Sequence, residues 1–469
     1  MGFKSDQFKN PIGFILAAAG SAVGLGNIWG FPYHVGEGGG AIFVLIYLFF
    51  CFALCLPVML VEIAIGRKSG CNQVGAYAAL GFPKWRFVGY LGVLSGVLIL
   101  SSYNVIAGWS FGYVWEMASG NYEIAVHFDR YKGDAGKIGL YALLFMTVTA
   151  FFVSRGVSGG IERVARVLMP LLVIMIFGMA LYALSLDKHG TGLSFYLKPR
   201  LAPLLADPSI VYKAMGQAFF SLSLGMGALV TFGSYVKQTE NLMKSATIIT
   251  LADVSIALLA GLMIFPFLGY MAGEGEITGV KSGPPLIFEA IPGIFEQIAG
   301  ASGWVLGVLF FLLLCFAALT STLSLLEVPV AFVVQEWKVG RTKAAWMVAG
   351  VIFLVGLPSL LSQGAVRSLA AFVHFGDGKW ISFMDLVGQV ANNTFLPLGG
   401  FLTALFAAYA WKKENLISEL SLGNPDFRHS VFARYLQFSM KWLIPWVLGF
   451  VLIYTILFQF FRIDLWKLL

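Results

Sequence analysis

Two stretches of this chain place bare backbone and small polar groups inside apolar runs. The first is Gly20-Ser21-Ala22-Val23-Gly24-Leu25-Gly26-Asn27, in the middle of a run from Pro11 to Tyr33. The second is Phe219-Phe220-Ser221-Leu222-Ser223-Leu224-Gly225-Met226-Gly227. Glycine is a poor helix former, so both runs are expected to break. In lipid, each freed N–H or C=O must find a new partner. Bare carbonyls, amides and hydroxyls suit a hard cation and a polar ligand. The same small residues also suit close helix packing, and the first stretch alone does not decide between the two. The second interrupted run points to a site, because paired breaks mark the midplane site of a transporter. Asp253, Glu62 and Glu327 also lie within apolar runs. A carboxylate there costs about 2.5–3.5 kcal/mol on insertion scales, so it is a functional candidate by default. Asp253 can act as an ion ligand or as a protonated, hydrogen-bonded acid. The hydroxyls of Thr320-Ser321-Thr322 can bind an ion or bond back to their own helix.

The elements that must hold these groups follow from composition. The chain has 469 residues, 58% hydrophobic and 12% charged, against about 25% charged in soluble domains. It reads as an all-α polytopic membrane protein in contact with lipid. The formal charge of +7 lies in short loops between apolar runs, which gives no sign of a nucleic-acid partner. The four cysteines give no disulfide framework. Apolar character continues past Ala17-Ala18-Ala19 to Trp29, so the first run is a span and not a signal peptide. Eleven transmembrane helices are expected: 11–33 (broken), 41–66, 87–118, 138–153, 164–186, 209–236 (broken), 246–272, 303–335, 345–361, 388–411 and 442–461. Basic loop residues such as Arg67, Lys68, Lys84 and Arg86 place residues 1–10 in the cytoplasm. Residues 11–186 form one set of five spans and 209–411 a second, inverted set. Residues 187–208 form an extracellular loop, 412–441 a cytoplasmic loop, and 442–469 the eleventh helix with an extracellular C-terminus. An enzyme is disfavoured: the five histidines fall in or next to loops with no zinc spacing. No phosphate-binding loop for a pump is present either.

The residues then become specific. Gly13-Phe14-Ile15-Leu16-Ala17 through Gly20–Trp29, Phe31-Pro32-Tyr33, Glu37-Gly38-Gly39-Gly40-Ala41, Glu62 with Gly66-Arg67, Gly216–Ser223, Ser234-Tyr235-Val236 and Leu319-Thr320-Ser321 onward to Glu327 resemble the neurotransmitter:sodium symporter family. Eleven spans resemble its bacterial branch of hydrophobic amino-acid transporters. Gly160 and Pro170 have the spacing of a helix-unwinding motif in that branch. The resemblance implies a bacterial leucine transporter-like fold, with two inverted five-helix repeats and helices 1 and 6 unwound at mid-membrane. It also implies a multi-pass protein of the bacterial inner membrane, monomeric or weakly dimeric.

Matched residue by residue, the resemblance implies a substrate site of Ala22, Gly24, Leu25, Gly26, Ile99, Tyr103, Ile106, Phe220, Ser221, Ser223, Met226, Ser321 and Leu325. Leu25 and Gly26 amides with the Tyr103 hydroxyl would hold an α-carboxylate. Gly24, where amine-transporting relatives have aspartate, implies a zwitterionic amino acid. Two sodium ions are implied. The first would use Ala22, Asn27, Ser221 and Asp253; the second, Gly20, Val23, Ala317, Thr320 and Ser321. Asp253 with Ala257 would replace chloride, while Tyr47, Gln217 and Ser221 occupy the other chloride-site positions. Glu62 and Glu327 would support the unwound part of helix 6. The expected function is sodium-coupled import of hydrophobic or aromatic L-amino acids; small neutral amino acids, or amino-acid sensing without transport, are the alternatives. Several gate positions depart from the family: Gly30 and Gly388 on the outside, Ser5, Phe8 and Gln335 on the inside. Tyr103 and Phe220 remain as the outer lid, and Lys4 with Glu336 is a candidate inner pair.

Overall fold

Asn10 starts the first helix: its side chain accepts a hydrogen bond from the Gly13 N–H at 2.8 Å, and Pro11 takes the first helical position. Both are favoured helix starts. In the computed structural model, which describes residues 7–275, 283–299, 303–375, 379–461 and 463, this helix α1 (Pro11–Ala22) stops where Val23 turns extended, at φ −72° and ψ 104°. The chain resumes as α2 (Gly26–Glu37), bent by 49° from α1. Next come α3 (Ala41–Ser69), α4 (Pro83–Ala118), α5 (Ala135–Ser154) and α6 (Val157–Leu186).

The sixth apolar run is cut into α7 (Ile210–Ser221) and α8 (Ala228–Gly233). Between them Ser223, Gly225 and Gly227 have φ of 54°, 80° and 78°, a left-handed backbone that no right-handed helix can accept. A Cβ on Gly225 would lie 2.1 Å from the Leu396 carbonyl oxygen, and one on Gly227 1.4 Å from Gln73 Oε1. Only glycine fits either position. The chain continues through α9 (Leu242–Ala272), α10 (Gly303–Glu336), α11 (Arg341–Leu361), α12 (Phe383–Ala410), α13 (Lys413–Leu420) and α14 (Val431–Phe458). Among the described residues nine helices are long and apolar enough to cross a membrane, ten with α1 and α2 as one bent span. The sixth run falls outside that count because its pieces are only twelve and six residues long.

The starts of α6 and α14 differ most from the sequence reading. α6 begins at Val157, because Glu162 and Arg163 sit within the helix and not before it. The Gly160 to Pro170 segment, expected to resemble an unwinding motif, is wound: a π-turn at Val157–Ile161 runs straight into helix. α14 begins at Val431 inside the expected loop 412–441, with Ala433, Leu436 and Met440 buried at helical spacing. A hairpin of β1 (Val373–Phe375) and β2 (Lys379–Ile381) was not expected.

α10 lies along α4, and α1 packs against α6, α9 and α10. At the N-terminal side, buried Phe8 closes the bundle edge-on against Phe232 and Tyr235, at 6.0 and 6.3 Å between ring centres. On the same side Arg67 is fully buried. Its Nε donates to Glu419 Oε1 at 2.7 Å, and its Nη groups to the Glu240 and Glu419 carbonyls at 2.7 and 2.5 Å. One guanidinium thus ties α3 to the segment after α8 and to α13. Removing one partner of a buried pair strands the other charge. Arg67→Ala is therefore expected to cost about 3–5 kcal/mol, read as a lowered unfolding midpoint in detergent. Arg67→Lys recovers only part of it, because lysine lacks the fork.

Candidate functional site

The two breaks face each other. Ser223 Oγ donates to the Ser21 carbonyl at 2.9 Å, and Ser321 Oγ to the same oxygen at 3.3 Å. Between them lies a small cavity. It is lined by Ala22, Gly24, Gly26, Ile99, Tyr103, Phe220, Ser221, Ser223, Met226, Ser321 and Leu325. The Leu25 N–H donates to the Tyr103 hydroxyl at 2.9 Å, so the two groups expected to grip a carboxylate are side by side. Ser21 also lines the cavity and was missed by sequence reasoning. Its hydroxyl, inside a run of alanines and glycines, was the available signal. Leu25 and Ile106 do not line this cavity. They line a larger one with Trp29, Lys213, Asp385 and Asn392. Tyr103 and Phe220 border both cavities and stand between them, which turns the Leu25 and Ile106 side chains to the outer one.

The expected ion ligands are also brought together. Asp253 is fully buried on α9. Its carboxylate accepts from Asn27 Nδ2 at 2.7 Å, Ser221 Oγ at 2.8 Å and Tyr47 OH at 3.3 Å. Asn27 Oδ1 accepts from the Gly24 N–H at 3.0 Å and so closes the turn at the first break. Asp253, Ser221 and Tyr47 supply oxygens and one carboxylate, which fit a hard cation, whereas Asn27 turns its Nδ2 to Asp253 and keeps its oxygen on the Gly24 N–H. On the other side of the break, Thr320 Oγ1 lies 3.4 Å from the Val23 carbonyl and 3.0 Å from that of Ala317. Ser321 Oγ is 3.4 Å from the Val23 oxygen, and Gly20 faces the Thr320 side chain. Thr320 also bonds back to Phe316 of its own helix at 3.1 Å. The two readings of this hydroxyl cluster therefore coexist: the bonds within the helix hold the rotamers that face α1.

Other assignments are redistributed. Gln217 does not reach Asp253; its Nε2 donates to the Gly26 carbonyl at 2.8 Å, an acceptor freed by the break. Glu62 accepts from the Gly225 N–H at 2.8 Å, inside the unwound part of the sixth run. Glu327 does not touch that part. It accepts from Tyr235 OH at 2.8 Å and pairs with Arg341 at 2.6 Å, a nearer cation that satisfies a buried acid better than a backbone amide. Asp385 is held by the Ser382 hydroxyl at 2.7 Å as a helix-capping box. Gln335 accepts from the Asn72 N–H at 2.6 Å, and Glu336 pairs with Arg86 at 2.6 Å. Lys4 and Ser5 lie outside the described residues.

Comparison with known proteins agrees with this geometry. The model of the sodium:neurotransmitter symporter family matches residues 5–127 and 122–419. An uncharacterized sodium-dependent transporter of Bacillus subtilis, YhdH, is 36% identical over 432 residues, covering 90% of this chain and 91% of that protein. An uncharacterized sodium-dependent transporter of Haemophilus influenzae is 32% identical over 459 residues, covering 94% and 96%. The crystal structure of MhsT in complex with L-phenylalanine superposes with a TM-score of 0.85 at 38% identity, over 96% of this chain and 99% of that one. With two facing breaks, clusters of polar oxygen groups on either side of the first and this span of matched sequence, the chain belongs to the sodium:neurotransmitter symporter family and is a sodium-dependent membrane transporter, not an enzyme.

Proposed function

We propose that this chain imports hydrophobic or aromatic L-amino acids together with two sodium ions, by alternating access and without chloride. The observation that carries the reading is the wall of the central cavity. One side offers the Tyr103 hydroxyl, which the Leu25 amide behind it holds at 2.9 Å. A helix N-terminus at α2 adds a favourable end for a carboxylate. The other side is Ile99, Met226 and Leu325, apolar and, through methionine, adaptable in shape. The bound L-phenylalanine of MhsT supports the same substrate class. Gly24 leaves no side-chain carboxylate for a free amine, so a zwitterion suits the site.

Asp253 supplies the negative charge that a sodium ion needs beside it, so no dissolved anion is required. In this reading sodium and substrate enter through the outer cavity. Tyr103 and Phe220 close over them, and α1 and α7 then rock against the scaffold built on α4 and α10. The N-terminus is cytoplasmic, the membrane is the bacterial inner membrane, and the transporter works as a monomer or weak dimer. The boundaries of the two inverted repeats follow the breaks, at 11–186 and 209–411.

The test is a thermal-shift panel of the common amino acids in sodium or potassium, followed by uptake into liposomes. Leucine, phenylalanine or tryptophan is expected to stabilise the protein only with sodium. Accumulation is expected to persist when chloride is replaced by gluconate. Stabilisation by alanine or glycine alone would move the substrate class to small neutral amino acids. Binding without accumulation would make the protein a sensor, and uptake lost in gluconate would remove the role given to Asp253.

A further inference from the structure

The start of α1 is held by a group outside both sodium sites. Glu162, on α6, has a side chain only 1% exposed. Its carboxylate accepts from the Lys9 N–H at 3.1 Å and pairs with Arg166 one turn on. It fits because residue 13 is glycine: a Cβ there would lie 2.3 Å from Glu162 Oε1. Seven residues further along each helix the contact repeats. A Cβ on Gly20 would lie 3.4 Å from Met169 Sδ and 3.2 Å from Thr320 Cβ. Seven residues are about 10 Å of helix. α1 is thus fixed to α6 at one end by a carboxylate, and at the other end Gly20 packs on the Thr320 side chain and the Val23 carbonyl faces Thr320 and Ser321.

We propose that Glu162 is a positioning residue for the second sodium site: by clamping the start of α1 to α6 it sets where the Gly20 and Val23 carbonyls stand against α10. The half-helix is short and rigid, with no proline between Gly13 and Gly20, so a shift at Lys9 is carried to the carbonyls at its far end. The arrangement that binds sodium is the one in which the clamp is made. Losing the clamp lowers the population of that arrangement and so the apparent sodium affinity. The inference rests on the sodium-coupled reading above.

Substrate binding is measured against sodium concentration for the wild type, Glu162→Ala and Gly13→Ala. The second variant keeps the carboxylate but fills the space it occupies. The bond to Glu162 is charge-assisted and holds only the clamped arrangement, so half-saturating sodium is expected to rise about tenfold or more in both variants. Substrate affinity at saturating sodium is expected to stay within about twofold, since no group of the central cavity is touched. Arg166→Met leaves the Lys9 contact in place and is expected to shift sodium dependence less. Unchanged sodium dependence in both variants overturns the proposal. So does loss of substrate binding at every sodium concentration, which would make Glu162 a support of the whole fold. If the wild type itself binds substrate without sodium, the coupled reading fails and not the clamp.

Discussion

Gly24→Ala is expected to lower substrate affinity by at least about 100-fold and to bring uptake to background, while the protein still folds. A methyl group at this position would lie 2.4 Å from Ser321 Oγ and 2.8 Å from the Tyr103 hydroxyl. Ser321 can rotate away. Tyr103 cannot move as easily: it is buried, and its hydroxyl receives the Leu25 N–H at 2.9 Å. The methyl therefore pushes out the hydroxyl that would bind a carboxylate. Overpacking costs about 1–3 kcal/mol, and a lost hydrogen bond to a charged group about 1.5–3 kcal/mol. At 1.4 kcal/mol per decade these sum to about two to four decades of affinity. Radiolabelled uptake and ligand-induced thermal shift measure the loss, and the ligand-free melting point reports the fold. A variant that still takes up substrate at a tenth of the wild-type rate would mean that the carboxylate lies elsewhere.

The second large effect is expected at Asp253. Alanine there removes the acceptor of the buried Ser221 hydroxyl and the shortest bond of the Asn27 amide, which keeps Ser221 and the residue 253 carbonyl, as Tyr47 keeps Ser221. Each buried donor left unpaired costs about 1–3 kcal/mol. Asp253→Ala should therefore lose both stability and sodium-driven uptake. Asparagine separates the two losses. It keeps the shape and one carboxyl-type oxygen, so the melting point should fall much less. It removes the charge, and a cation taken from water into a buried site without a counter-charge is costly. Half-saturating sodium should rise by about 10-fold or more, equivalent to at least about 1.4 kcal/mol. Wild-type sodium dependence in Asp253→Asn would mean that Asp253 serves as a hydrogen-bonded acid and not as the ion's partner.

Gly24 and Asp253 both stand out along the chain, because each conflicts with its neighbours in sequence: glycine in a helical run, a carboxylate in an apolar one. Such conflicts are expected where a chain trades local consistency for a site. Leu25 and Ile106 show the limit of that reading. Their place in the matched sequence put them in the substrate pocket, yet they line the outer cavity, because Tyr103 and Phe220 come between. The sequence marks which residues are near the break. Which cavity each residue lines depends on how the break and α4 are turned against α7.

Composition and glycine placement alone determined that this is a helical membrane protein whose first and sixth spans are interrupted. Those are local effects, set by the cost of winding glycine and of placing uncapped backbone in lipid. Only the tertiary structure decided which charge meets which. Arg67 and Glu419 are 352 residues apart, and Lys9 and Glu162 are 153 apart. Glu327 takes Arg341 and Tyr235 in place of the unwound part of the sixth span. It also decided that α6 and α14 extend through charged residues that looked like loop, because neighbouring helices bury those residues or face them away from the core. A buried ion pair depends on distance and on exclusion of water, and neither quantity exists along a chain until its helices have packed.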